Sequence, residues 1–210
     1  MGRWSLVTEE GIGPLVPPEF GEQWRAAFWE LVQLPEHSTP LKAATEAGEL
    51  GDWTRELTKL SVETCKSVGW AACAKGHRSD RLPECRSEYL TLDVVAFEET
   101  NVRWPFPVAA MELENQQDDD RIAYSLWKVL CCRTKLRIVF CYRDDPGMVS
   151  PLVAGLQSEV IESMEVQDRI ALTGETMVAV GSRSLGAHFP YDFLKWWRLD
   201  ANTGRIELIR

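Results

Sequence analysis

Three acidic residues interrupt two apolar segments in the middle of the chain, where buried strands are expected. Asp93 lies within the apolar segment 89–98, and Glu112 and Glu114 directly follow the most apolar part of the segment 106–115. Burial of an ionised carboxylate is costly unless a partner compensates its charge, so we expect the three acids to share one. A divalent cation is the simplest such partner.

The elements that must position these acids follow from the apolar pattern around them. A helix with one apolar face precedes the two acidic segments, and a second such helix follows them. Short apolar runs bounded by turn residues predict strands between and after these helices. The predicted elements are, in order, a helix over 52–68, strands over 70–75, 89–98 and 106–115, a helix over 118–132 and a strand over 136–142.

The flanking segments are predicted to complete a single α/β domain of 210 residues. Residues 1–51 are expected to be an N-terminal helical extension, with an aromatic-faced helix over 21–34 and no long helix over 35–51. Residues 143–210 are expected to hold one helix and the C-terminal strands, the last two of which form a β-hairpin over 192–210. The apolar fraction of 45% is sufficient for one substantial core.

The order of the central elements resembles that of the PD-(D/E)XK restriction-endonuclease-like nuclease superfamily. The resemblance covers about residues 52–142 and rests on an Asp on the second strand and a Glu-x-Glu at the end of the third. It implies a mixed central sheet flanked by helices, a PD-(D/E)XK nuclease-like core, to which the C-terminal β-hairpin would add strands.

The resemblance also implies a metal site. Asp93 matches the strand Asp that ligates Mg²⁺ (or Mn²⁺), and Glu112 matches the second acid, with the carbonyl of Leu113 as a third ligand. Glu63, or alternatively Glu56, would supply the helix acid that some members use. Carboxylates suit Mg²⁺, and bound Mg²⁺ lowers the pKa of water and neutralises charge on a phosphodiester.

The chain departs from the superfamily pattern at Glu114, which stands where a Lys is usual, and no Pro precedes Asp93. The usual Lys positions the attacking water and stabilises negative charge, which a carboxylate does not do in the same way. Glu114 would instead act as general base or hold a second metal. Alternatively, Lys128 on the following helix would supply the missing cation.

The function that follows from this resemblance is hydrolysis of DNA phosphodiester bonds by a Mg²⁺-dependent nuclease. A catalytically inactive nuclease-fold binding or protein-interaction module is the alternative. A third reading is an interaction protein in which an aromatic surface contacts a protein partner. Without a metal, Glu112 and Glu114 would line the solvated face of a half-exposed strand. In all three readings a homodimer or another protein partner is compatible with the sequence.

Charge and hydropathy limit the partners further. The formal net charge of −9 works against broad electrostatic attraction to nucleic acid, so DNA binding would depend on the local field of the site. No run of about 18 uncharged apolar residues predicts a membrane span, and the N-terminus does not have the pattern of a secretory leader. We therefore expect a cytoplasmic protein without a membrane partner, with its six cysteines as free thiols.

Overall fold

Seven β-strands form one mixed sheet, and their spatial order in the sheet is their order in the chain. The structure is a computed structural model that describes residues 20–84 and 88–209. Adjacent strands are consecutive in sequence throughout, so every connection is to a neighbouring strand. The strands are β1 (Trp70–Ala74), β2 (Val94–Glu98), β3 (Ala109–Leu113), β4 (Leu136–Arg143), β5 (Glu175–Ser182), β6 (Leu194–Asp200) and β7 (Arg205–Ile209).

The described residues also form six α-helices, most of which pack on the two faces of this sheet. They are α1 (Phe20–Val32), α2 (Pro35–Ala47), α3 (Leu50–Ser67), α4 (Asp119–Leu130), α5 (Val149–Leu156) and α6 (Val166–Ile170). A π-helical turn, Gln157–Ile161, continues α5, and 3₁₀ turns occupy Pro146–Met148 and Arg183–His188. The α/β class with a mixed central sheet flanked by helices is therefore confirmed.

The strand directions divide the sheet into three parts. Strands β1, β2 and β3 are antiparallel neighbours, β3, β4 and β5 are parallel, and β5, β6 and β7 are antiparallel again. Each parallel pair needs a crossover connection, which α4 supplies between β3 and β4, and α5 with α6 supplies between β4 and β5. The C-terminal β6–β7 hairpin that the sequence predicts is confirmed.

Two apolar cores lie on opposite faces of the sheet. Helices α1, α2 and α3 pack on one face, where Trp24 and Phe28 contact Phe140 and Trp196. Helices α4 and α5 pack on the other face against the alternate residues of the same strands. Of the predicted N-terminal extension, residues 1–19 lie outside the described residues, and the helices that follow them are part of the first core.

Residues 35–51, where we expected no long helix, form α2 and the start of α3. Pro35 lies in the first turn of α2, where its missing N–H is not needed. Gly48 ends α2 in the left-handed conformation at φ +71°, so it separates two helices. The expectation failed because the same residue types that break a helix also begin and end one.

The two acidic strands are shorter than predicted. Leu90 and Thr91 adopt left-handed backbone angles of φ +57° and +56°, which excludes them from a strand, and β2 begins only at Val94. Residues 106–108 precede β3, and Glu114 lies just beyond its end. As a result Asp93 immediately precedes β2 and Glu112 is the fourth residue of β3.

Candidate functional site

Asp93 and Glu112 lie opposite each other on neighbouring antiparallel strands. The register pairs Val94 with Met111, and continuation of this register places Asp93 across from Glu112. Side chains of directly opposed residues point to the same face of a sheet, here the face on which Val95 and the helix α4 pack. The structure therefore brings together two of the three acids that the sequence singled out.

Lys128 of α4 supplies a cation to this pair. Its Nζ lies 2.9 Å from Oε1 of Glu112, and it donates a hydrogen bond to the carbonyl oxygen of Thr91. Little of either charged side chain reaches solvent, 17% for Lys128 and 8% for Glu112. The alternative in which a helix lysine replaces the usual strand lysine is thus geometrically available.

Both ends of α4 are fixed, and this positions Lys128. At the N-terminus the side chain of Asp118 accepts a hydrogen bond from the N–H of Arg121 at 3.0 Å. Beyond the C-terminus, buried Arg137 on β4 donates to the carbonyl oxygens of Val129 and Cys132, at 3.1 and 2.9 Å. These contacts satisfy carbonyls that a helix end leaves free and favour a cation at that end.

Burial sets the protonation of the two acids. Desolvation raises the pKa of Glu112, opposed by Lys128 and reinforced by the charge of Asp93. Desolvation likewise raises the pKa of Asp93, opposed first by a 2.7 Å hydrogen bond from the N–H of Leu113 and then by Lys128. One lysine thus faces two partly desolvated carboxylates, and a further cation would favour the ionised form of both.

Asp93 and Glu112 bring two carboxylates together, the ligand type that a divalent metal prefers. Oε1 of Glu112 is buried and touches Lys128 only as an ion pair, and no described group donates a well-aligned hydrogen bond to it. A buried carboxylate oxygen without such a donor, next to a second carboxylate, offers the hard oxygen ligands that Mg²⁺ prefers. Asp93 and Glu112 are the residues that would hold the ion.

Glu114 lies on the same face at the end of β3, without closing a three-acid site. Its charge contributes to the raised pKa of Asp93, and its Oε1 accepts a hydrogen bond from the N–H of Gln116 at 2.8 Å. Across residues 20–84 and 88–209, no three His, Cys, Asp or Glu side chains are placed to hold one metal ion. The described residues therefore give a two-acid and one-lysine arrangement in which Glu114 is a half-exposed neighbour.

The helix acid does not reach this site. Glu63 belongs to α3, whose buried residues pack on the opposite face of the sheet, and its Oε2 lies 3.0 Å from Nε2 of His37. Glu56 on the same helix contacts Arg55 at 3.1 Å. The sequence-based placement of Glu63 among the metal ligands is corrected on this point, because the sheet separates it from Asp93 and Glu112.

Thr91 is a site residue that sequence reasoning missed. The left-handed turn at Leu90 and Thr91 directs the Thr91 carbonyl to Lys128. Leucine and threonine rarely adopt this conformation, so the residue types carry no signal for the turn. The segment from Tyr89 to Leu92 consequently lies over Lys128 instead of extending β2.

Comparisons with known proteins identify no relative. No protein-family model, no curated protein and no solved structure matches the chain. Among the described helices, none has the length and apolar character needed to cross a membrane. The function is therefore inferred from the arrangement of Asp93, Glu112 and Lys128.

Proposed function

We propose that this chain is a Mg²⁺-dependent nuclease that hydrolyses phosphodiester bonds of DNA. The observation that carries the proposal is the convergence of Asp93, Glu112 and Lys128 on one face of the sheet, with 2.9 Å between Lys128 Nζ and Glu112 Oε1. Two acids and one lysine are the residue types that make up a PD-(D/E)XK site. Here the lysine comes from the following helix.

The order and direction of the central elements support the same proposal. Helix α3, the antiparallel strands β1 to β3, helix α4 and the parallel strand β4 occur in the order of a PD-(D/E)XK nuclease-like core. The two helices lie on opposite faces of the sheet. Fold likeness alone does not determine activity, so the proposal depends on the site residues.

Each site residue has a distinct role in this proposal. Asp93 and Glu112 would hold Mg²⁺, which when bound would supply charge neutralisation at the phosphate and a water of lowered pKa. Lys128, fixed by α4, stabilises the negative charge that develops on the phosphate oxygens. Glu114, half-exposed and adjacent, is placed to accept a proton from the attacking water.

The alternative function, a catalytically inactive nuclease-fold module that binds a protein or nucleic-acid partner, also has an observation in its favour. Lys128 already neutralises Glu112, and only 6% of Glu112 is exposed. An internal ion pair of this kind compensates the carboxylate without a metal ion. The two functions differ in whether Mg²⁺ and a phosphodiester compete successfully with the ion pair.

Cleavage assays on variants of the site test the proposal. We expect the wild type to cut supercoiled plasmid or single-stranded DNA with Mg²⁺ or Mn²⁺ at low salt. Asp93→Asn, Glu112→Gln and Lys128→Met should each lower the rate by about 10²-fold or more, since each removes a charge at the reacting centre. Glu98→Gln, on β2 but paired with Lys135 at the surface, is the control and should keep the wild-type rate.

Thermal denaturation with Mg²⁺ separates the two candidate functions. Mg²⁺ that raises the melting temperature of the wild type but not of Asp93→Asn, without any cleavage, would select the inactive module. A wild type that neither cuts DNA nor gains stability in Mg²⁺ and Mn²⁺ would overturn the metal site itself.

A further inference from the structure

A groove lies among the helices that cover the second core, and it is lined by residues other than those of the acidic site. It runs between α4 on one side and the π-helical turn with α6 on the other, with a volume of about 610 Å³. Its apolar floor includes Leu130, Val160 and Met164. Lys128, Asp93 and Glu112 are not among the residues that line the groove.

Two aromatic side chains of α4 line this groove and are exposed to solvent. Tyr124 is 59% exposed and Trp127 is 54% exposed, and their ring centroids lie 5.9 Å apart with 30° between the ring planes. Large aromatic side chains that remain this exposed next to an apolar floor are typical of interaction sites. The π-helical turn Gln157–Ile161 forms the opposite wall, and such turns are frequent at functional positions.

The charge of the groove determines what can occupy it. Four carboxylates surround the aromatic pair, and no basic residue is present among the described residues that line the groove. Within residues 20–84 and 88–209, none of these four acids forms an ion pair. They are Asp120, Glu159, Glu165 and Asp168. A phosphate backbone would be repelled here, whereas a cation would be attracted both by the carboxylates and by the faces of the aromatic rings.

We propose that this groove binds a basic segment of a protein partner, with an arginine or lysine against Tyr124 and Trp127 and apolar side chains on the floor. The acids around the groove pair with the remaining basic residues of the segment. An amphipathic basic segment satisfies both the apolar floor and the acidic rim, which neither a purely polar cation nor a nucleic acid does. The proposal is independent of nuclease activity.

The test uses the full chain and a fluorescein-labelled amphipathic peptide of about twelve residues, with leucine at helical spacing and arginine elsewhere. We expect Trp127→Ala and the double variant Glu165→Lys with Asp168→Lys to weaken peptide binding about tenfold or more, measured by fluorescence anisotropy. Trp127→Phe should retain most of the affinity, since it keeps an aromatic face. Glu22→Lys with Glu30→Lys, an equal charge change at two exposed positions of α1, should change the affinity less than about twofold.

Cys131 gives a second readout without any substitution. It lines the groove and is an exposed free thiol, so bound peptide should slow its alkylation by iodoacetamide, quantified at Cys131 by mass spectrometry. Glutamate in place of arginine in the peptide should abolish this protection. Equal affinity of the groove variants and the wild type, or unchanged alkylation of Cys131, would overturn the proposal. Binding of a single-stranded oligonucleotide that Trp127→Ala abolishes would also overturn it.

Discussion

At the scale of single residues, Lys128 decides how two partly buried carboxylates coexist. Without a cation, Asp93 and Glu112 would repel each other across β2 and β3 in a poorly hydrated place. Lys128 compensates one of them, and burial still raises the pKa of both. Natural proteins keep such unfavourable groups mainly where function needs them, which is why this pair carries the functional proposal.

The raised pKa of Asp93 predicts a pH dependence of stability. Because its pKa is higher in the folded than in the unfolded chain, its favourable contribution is complete below the unfolded pKa of about 3.9 and is lost as pH rises through the folded pKa. In the absence of divalent ions, Asp93→Asn should therefore be more stable than the wild type at pH 7, by about 1 kcal/mol. The difference should shrink towards pH 4, as measured by urea denaturation.

Asp200 provides a control of opposite sign. Hydrogen bonds from Thr203 and Asn202 lower its pKa, so its contribution is present at neutral pH and is lost as pH falls through the folded pKa. Asp200→Asn should lower stability at pH 7 and converge with the wild type in acid. If the stability curves of the two Asn variants shifted in the same direction at pH 7, the assignment of Asp93 as a desolvated carboxylate would be wrong.

The Lys128–Glu112 pair is predicted to be strongly coupled. Lys128→Met leaves Glu112 without its cation and should lower the free energy of unfolding by about 2 to 4 kcal/mol. Glu112→Gln in the same background should restore part of this loss, with a coupling energy of about 1 to 3 kcal/mol in the double-mutant cycle. Denaturant unfolding of the wild type, the two single variants and the double variant measures this coupling energy. If the losses of the two single variants added up in the double variant, the contact would contribute nothing to stability.

At the scale of elements, close packing between strand β5 and its neighbours explains a glycine in the middle of the sheet. A Cβ on Gly181 would lie 2.6 Å from Cδ1 of Tyr142 and 2.8 Å from Cε1 of Phe193. Both rings belong to the first core, where Trp53 packs edge-on against Tyr142. Gly181 therefore lets two aromatic side chains approach the backbone of β5, and its small size is a packing requirement.

Replacement of Gly181 and of a second glycine should have opposite effects. Gly181→Ala should lower the free energy of unfolding by about 1 to 3 kcal/mol, because rigid rings of the core must move. Gly155→Ala in α5 should raise it by about 0.5 to 1 kcal/mol, since a Cβ there meets nothing within 4 Å and alanine favours a helix. Chemical denaturation of both variants checks this, and a neutral Gly181→Ala would contradict the packing argument.

The elements also show which parts of the site could be read from the sequence. The order of the central helices and strands over residues 52–142 and the choice of Asp93 and Glu112 follow from apolar periodicity interrupted by charge, and the structure places these two acids together. The placement of Glu63 was wrong because the periodicity of α3 identifies its buried face but not the side of the sheet on which it packs. The contact of Lys128 with Thr91 depends on a left-handed turn at Leu90 and Thr91, and these residue types do not predict such a turn.

At the scale of the whole molecule, the helices α1 to α3 and the crossover helices enclose a single sheet. Trp24 is fully buried, stacks on Phe28 and donates its indole N–H to Sγ of Cys65 on α3 at 3.3 Å. The same two rings contact Phe140 on β4 and Trp196 on β6. Residues from three distant parts of the chain thus share one aromatic core, so we expect the described part of the chain to unfold as one unit.

Two neighbouring residues of α1 test this cooperativity. Phe28 is 1% exposed in the aromatic core, so Phe28→Ala should cost about 3 to 5 kcal/mol and weaken the near-ultraviolet circular dichroism of the native state. Trp29 is 38% exposed and touches only Tyr191 among the described aromatic rings, so Trp29→Ala should cost no more than about 1 kcal/mol. Near- and far-ultraviolet signals should report one coincident transition for both variants. If the helices of residues 20–47 instead formed a dispensable extension, Phe28→Ala would leave the main transition in place and add an earlier one, because α1 would detach from a sheet that stays folded without it.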